Sequence, residues 1–240
     1  MKVLFAGPSL FGCEVDLAGI DSRPPARQGD LYAAVGDGAN VIGLVDGYFG
    51  AVASVWHKEI LFALAGGVRV LGAASMGALR AAECSAFGME PVGEIAQSYD
   101  DGRLEDDDAV ALVHAPAELD FMPISDALVD MAATLRELRH KRLIGDAEEL
   151  ALLASAQRAF FADRNPQTMV SGAGLRAARA AEIAALYLQH RVSLKQRDAL
   201  ALVARLRALP DERNLARSQS WSFNDTPTWA RTFPRPEASA

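Results

Sequence analysis

The stretch Val68-Arg69-Val70-Leu71-Gly72-Ala73-Ala74-Ser75-Met76-Gly77-Ala78-Leu79-Arg80-Ala81-Ala82-Glu83 decides the fold. Val68 to Leu71 is largely apolar and β-favouring. Gly77 to Glu83 is rich in Ala, Leu, Arg and Glu, which favour helix. Between them lies a turn of small residues. A strand that feeds a helix through such a turn lifts one side chain above the end of a sheet, and here that residue is Ser75. Its hydroxyl and the free N–H groups of the helix start then point the same way. The Gly-x-Ser-x-Gly elbow presents a nucleophilic serine in this manner, although Ala73 stands at the first glycine position here. Serine is also a preferred helix N-cap, so a purely structural role stands beside the catalytic one.

Upstream, Lys2 to Ala6 and Val41 to Val45 read as two more buried strands, ending at Gly7-Pro8 and Asp46-Gly47. Residues 10–30 read as irregular. Asp30 is placed to cap a helix over Leu31 to Val35. Val55 to Ala65 carries Trp56, Ile60 and Ala63 at helical spacing. The first 90 residues therefore run β-α-β-α-β-α with near-continuous apolar strands. The expected fold is α/β, a Rossmann-like parallel sheet with right-handed crossovers, followed by a helical C-terminal half. Ligands of such sheets sit at the carboxyl ends of the strands. Gly7-Pro8, Asp46-Gly47 and Ala73 to Gly77 should meet on that rim, with His57, Lys58 and Glu59 beside them.

Three divisions are expected: a core domain over 1–120, a helical region over 121–210 packed on it, and an irregular tail over 211–240. Helical patterns cover Ile124 to His140, Asp146 to Asp163, Ala173 to His190 and Leu194 to Leu209. The tail carries Trp221, Phe223, Trp229 and Phe233, which suggests docking on its own chain or on a partner. Residues 1–120 hold 7 Lys/Arg against 18 Asp/Glu, and residues 121–240 hold 17 against 13, for a net charge of −7. An acidic front half argues against a nucleic-acid partner. No apolar run approaches the roughly 20 residues that span a bilayer. Met1-Lys2-Val3 begins a strand rather than a signal peptide. Cys13 and Cys84 form no framework, which points to a reducing cytoplasm. No phosphate loop, dinucleotide fingerprint or metal-ligand spacing is present, so no cofactor and no metal is expected. Asp106-Asp107-Asp108 reads as a solvated run or helix cap, with Mg²⁺ binding as the alternative.

Several strings together resemble the TfuA-like proteins: FAGPSL, RPPARQGDL, GLVDGYF, VWHKEILFAL, GAASMGALRAAE, FGM and DDDAVALVH. The resemblance covers roughly residues 3–135. It implies a sulfur-supply role beside a YcaO-type enzyme, which installs sulfur in a peptide backbone. The sulfur would come from a thiocarboxylated ThiS-type carrier protein, with the precursor peptide as a further partner. Within the acidic string Ala109 stands where the family favours Glu, and neither cysteine belongs to the shared pattern.

Cleaving a thiocarboxylate is acyl transfer, and the rim residues match its needs. Ser75 would attack the carbon or position water. His57 is the expected base, Lys58 would neutralise or protonate sulfur, and Asp46 would orient either. The N–H groups of Met76 and Gly77 would form an oxyanion site. Gly7, Pro8, Asp30, Arg80 and Glu83 complete the expected substrate-binding set, although Arg80 and Glu83 can simply pair. The carrier tail is expected to enter past Arg23 to Asp30 and Tyr48 to Ser54. The alternative is a non-catalytic docking or allosteric partner.

Overall fold

Among the described residues five short strands lie parallel in one sheet: β1 (Lys2–Phe5), β2 (Ile20–Arg23), β3 (Val41–Leu44), β4 (Arg69–Gly72) and β5 (Glu90–Pro91). Their order is β2-β1-β3-β4-β5. The structure, a computed structural model, describes residues 1–50, 52–214 and 220–233. Phe5 lies opposite Leu44, and Leu44 opposite Gly72, so the three central strands end level. The loops that follow them therefore leave from one rim. The strand order reverses between β1 and β3, and the crevice at such a switch point is where open α/β sheets bind ligands.

Among the described residues the helices are α1 (Asp30–Gly36), α2 (His57–Ala65), α3 (Met76–Cys84), α4 (Gly93–Asp100), α5 (Leu128–His140), α6 (Asp146–Arg158), α7 (Pro166–Gly172), α8 (Ala177–Gln189), α9 (Leu194–Ala208) and α10 (Pro227–Thr232). One face of the sheet packs Phe5, Ile42, Leu44 and Val70 against Leu31 of α1, Ile60 of α2 and Ala81 of α3. The link from β1 to β2 holds only a single turn, Pro8–Leu10, and supplies no full helix to the other face. Helix α9 covers that face from far along the chain: Leu4, Val41 and Leu71 pack against Ala199, Leu202 and Leu206. A Cβ added at Gly43 would lie 2.7 Å from Leu202, so strand and helix approach through the glycine. Leu202 and Leu206 are fully buried, and burying each such side chain contributes roughly 1.5–3 kcal/mol. A second core joins α4, α5, α6, α7 and α8, centred on Ile95, Met131, Leu152 and Ile183.

Several elements differ from the sequence expectation. Strand β2 lies in the stretch read as irregular. An edge strand with a half-exposed pattern needs no apolar run, and Ile-Asp-Ser-Arg has none. Gly29, at φ 97°, occupies the N-cap of α1 instead of Asp30, which lies in the first turn and accepts the Arg27 N–H at 2.8 Å. Helix α5 starts at Leu128 rather than Ile124 because Ser125 and Asp126 are engaged elsewhere. The Ser125 hydroxyl oxygen accepts the Val113 N–H, and the Asp126 N–H donates to Arg164. The tail read as too irregular for a helix holds α10, capped by Thr226. It docks on its own chain: Trp229 meets Tyr32 edge to face, Phe233 packs tilted against Tyr32, and Phe223 meets Phe62 edge to face. Residues 215–219 and 234–240 of that tail, and residue 51 of the loop Tyr48 to Ser54, lie outside the described residues.

Candidate active site

Ser75 follows an unusual turn. Ala74 is fully buried at φ 65°, a left-handed conformation that costs a non-glycine residue about 1–3 kcal/mol. Ser75 sits at the N-cap position of α3, yet its side chain makes no cap hydrogen bond. Its hydroxyl instead makes a long 3.4 Å contact to the Val110 carbonyl oxygen. The glycines explain how the turn fits. A Cβ at Gly77 would lie 1.8 Å from the Leu44 carbonyl oxygen, and one at Gly72 would lie 2.1 Å from that of Gly77. Helix α3 is thus pressed backbone to backbone on the end of β3. That contact uses the Gly77 N–H, which donates to Val45 at 3.1 Å and is withdrawn from the expected oxyanion site. Among the described residues, no acceptor faces the Met76 N–H.

Asp46 joins the loops on either side of the switch point. One carboxylate oxygen accepts the N–H groups of Gly7 at 2.9 Å and Ser9 at 3.0 Å; the other accepts the Ser9 hydroxyl at 2.7 Å. The side chain is fully buried, as is Ser9. Asp46 therefore orients the β1 loop, where the sequence reading gave it His57 or Lys58. Pro8, between its two donors, lines the neighbouring cavity.

The residue that sequence reasoning missed is Lys195, the second of α9. It is 1 % exposed, and its ammonium donates to the Val110 carbonyl oxygen at 2.7 Å, the same atom that Ser75 contacts. Amine and hydroxyl are neighbours. Burial pushes the Lys195 pKa down, while the charges of Asp46 and Asp130 pull it back up, and the net shift is downward. Asp130 accepts the Lys195 backbone N–H at 2.9 Å and the Ser193 hydroxyl at 3.1 Å. Burial raises its carboxyl pKa. A signal for Lys195 was present. It falls in the stripe that continues through Ala199, Leu202 and Leu206, and a charge on the buried stripe of a helix calls for a partner.

The other expected site residues lie elsewhere. Arg80 of α3 donates to the Val55 carbonyl oxygen at 3.1 Å, so the loop before α2 runs along α3 and lands His57 on its last turn. There His57 Nε2 meets Glu83 at 2.7 Å, and Arg80 donates to the same carboxylate at 2.6 Å. Burial raises the Glu83 pKa, but the bonds from His57 and Arg80 outweigh it and hold the carboxyl below its usual range. Glu83 is eight residues beyond Ser75, about 12 Å along a helix. His57 has no bond to Ser75 and pairs with Glu83 instead. Lys58 donates to the Thr226 hydroxyl at 2.7 Å and lies over the Phe223 ring, which makes it an anchor for the tail. Asp30 faces Arg27 beside a different groove. Buried Arg164 donates to the Asp108 carboxylate at 2.7 Å, which ties the acidic run to the helical half. Among the described residues no three His, Cys, Asp or Glu side chains converge as metal ligands. None of the described helices is long and apolar enough to cross a membrane.

A cavity of about 380 Å³ opens between the Pro8–Phe11 turn and the start of α9, and Ser9, Asp130 and Lys195 line it. Strand order, level rim and switch-point cavity define an open, doubly wound α/β protein with a buried polar site at the reversal of its sheet. The chain belongs to the TfuA-like protein family, which matches residues 46–165. Asp46, Ser75, Val110 and Asp130 fall inside that stretch, whereas Gly7, Ser9 and Lys195 fall outside it. Comparison with curated proteins gives no match.

Proposed function

We propose that this protein hydrolyses the C-terminal thiocarboxylate of a ThiS-type carrier protein and releases sulfide for a YcaO-type enzyme acting on a precursor peptide. The observation that carries the reading is the convergence of Ser75 and Lys195 on one carbonyl oxygen, both buried at the switch point. A lysine whose charged form is disfavoured is a base for a neighbouring serine, as in Ser–Lys hydrolases.

Lys195 takes the Ser75 proton while the Ser75 oxygen bonds to the thioacid carbon. The oxyanion forms beside the Met76 N–H at the start of α3, where the helix dipole favours negative charge. The carbon–sulfur bond breaks, and the Lys195 ammonium returns its proton so that sulfur leaves as HS⁻ rather than S²⁻. Water then cleaves the Ser75 ester with Lys195 again as base, leaving the carrier carboxylate. The sum is thiocarboxylate plus water giving carboxylate plus hydrogen sulfide. Asp46 keeps Ser9 and the β1 loop in place around this centre. Buried Cys84, its thiol pushed up to about 11 by burial, takes no part.

The test is to incubate the purified chain with thiocarboxylated carrier in the absence of any YcaO enzyme. Sulfide release that vanishes in Ser75→Ala is the expected result. Absence of release from the intact chain would select the docking-partner reading.

A further inference from the structure

The reacting groups are hard to reach. Ser75 is 3 % exposed and Lys195 1 %. No folded surface can bring an acyl carbon to them, and an internal loop would need room for two chain segments. The cavity of about 380 Å³, which Lys195 lines and beside which Ser75 lies through their shared contact with the Val110 carbonyl oxygen, offers room for one. Ser9, Ser125, Ser193 and Gln196 line it, and their side chains are already held by Asp46, Val113, Asp130 and Phe11, so the wall is fixed in place. Phe11 and Pro123 border it. Arg191, 46 % exposed, also lines it, with one guanidinium nitrogen engaged by Asp126. A guanidinium has five N–H donors, so others remain for incoming carbonyl groups.

We propose that this slot, between the Pro8–Phe11 turn and the α8–α9 junction, takes the extended C-terminal tail of the partner protein. Arg191 holds the tail's carbonyls at the mouth. The proposal rests on the acyl-transfer reading, because only a C-terminus presents an acyl carbon at the end of a single chain. A cavity of about 380 Å³ that must admit a chain as far as Lys195 suits a tail of small side chains. At 3.3–3.6 Å per extended residue, three tail residues span about 10 Å. The entrance is therefore distinct from the groove beside Asp30, lined by Pro24, Pro25, Ala33 and Tyr48, past which the sequence reading sent the tail.

The experiment separates binding from turnover. Calorimetry measures binding of thiocarboxylated carrier to the full chain carrying Ser75→Ala, with and without Gln196→Trp, which fills the slot, or Ala33→Trp, which fills the other groove. Gln196→Trp should weaken binding at least tenfold and raise the KM for sulfide release in the otherwise unaltered chain. Ala33→Trp should change neither. A second measurement needs no altered chain: a photo-crosslinker placed three residues from the carrier C-terminus should label Phe11 or the segment Ser193 to Gln196. Labelling at Tyr48 to Val52, or carrier binding indifferent to Gln196→Trp, overturns the slot. If binding requires the slot while no sulfide is released, the hydrolase reading falls and the slot stands. If sulfide is released with an unchanged KM in Gln196→Trp, the slot falls and the hydrolase reading stands.

Discussion

Replacing Lys195 by Met shortens the side chain by one atom, the amine nitrogen, and removes its proton and charge. Removing a positioned base costs about 10²–10⁴ in rate, so sulfide release should fall by that factor. Stability should change less than removal of a buried charge suggests. Asp46 keeps three donors from Gly7 and Ser9, and Asp130 keeps a backbone N–H and the Ser193 hydroxyl. The Val110 carbonyl loses a charge-assisted bond worth about 1.5–3 kcal/mol. Release from burying an amine offsets part of that. The net change should lie within about 2 kcal/mol.

The pH dependence has a definite sign. The folded-state pKa of Lys195 is lowered from 10.5. Between that lowered value and 10.5 the unfolded chain holds a proton that the folded chain lacks. Stability therefore rises with pH across this window and falls as pH drops through it. Lys195→Met removes that slope, which urea melts of both chains at several pH values would read directly. Sulfide-release kinetics supply the second assay: kcat of the parent should rise with pH through the lowered lysine value and then level. Lys195→Arg keeps the charge but cannot lose it, so it should be as inactive as Lys195→Met. If either variant keeps more than a tenth of parental kcat with an unchanged pH profile, Lys195 is not the base.

Ser75→Ala should leave the melt within about 0.5 kcal/mol of the parent, because the side chain makes no cap bond; a loss near 1 kcal/mol, the usual effect of removing a cap, would restore the capping role. Gly77→Ala should cost at least about 2 kcal/mol in a denaturant melt, since the new methyl meets the backbone oxygen of Leu44 at 1.8 Å and neither strand nor helix can yield. Lys58→Ala should free the tail from α2, seen as faster protease cleavage within Trp221 to Phe233 and a lower Tm; an unchanged cleavage pattern would show that the aromatic contacts alone hold it.

The strands and the rim were legible because they depend on local signals: apolar runs broken by glycine and a strand-turn-helix pattern at Ser75. The family strings were legible for the same reason. What could not be read was the pairing of side chains across long separations. His57 falls beside Ser75 only if α2 begins at the rim, and the loop bonded to Arg80 begins it lower. Lys195 is 120 residues beyond Ser75, and nothing near it in the sequence says that α9 covers the sheet. The hint was positional, a lysine inside an apolar stripe and an aspartate, Asp130, among the buried residues of α5. The edge strand β2 was missed because short edges are specified by their neighbours rather than by their own residues.

Helix α9 links the fold to the chemistry. Its apolar stripe fills the sheet face that the short β1–β2 link leaves uncovered, and its first turn delivers Lys195 to the switch point. The site is thus complete only when the C-terminal helical half has packed, although Ser75, Asp46 and the Met76 N–H all come from the front of the chain. In the proposed mechanism, the strained turn at Ala74 without α9 would hold a serine with no base beside it. The same packing that buries Leu202 and Leu206 also buries the amine, and this burial disfavours its charged form and so enlarges the share of neutral amine, the form that can accept a proton. In the proposed mechanism, the stability of the α9 contact and the reactivity of Ser75 depend on one event, the docking of a distant helix on the middle of the sheet.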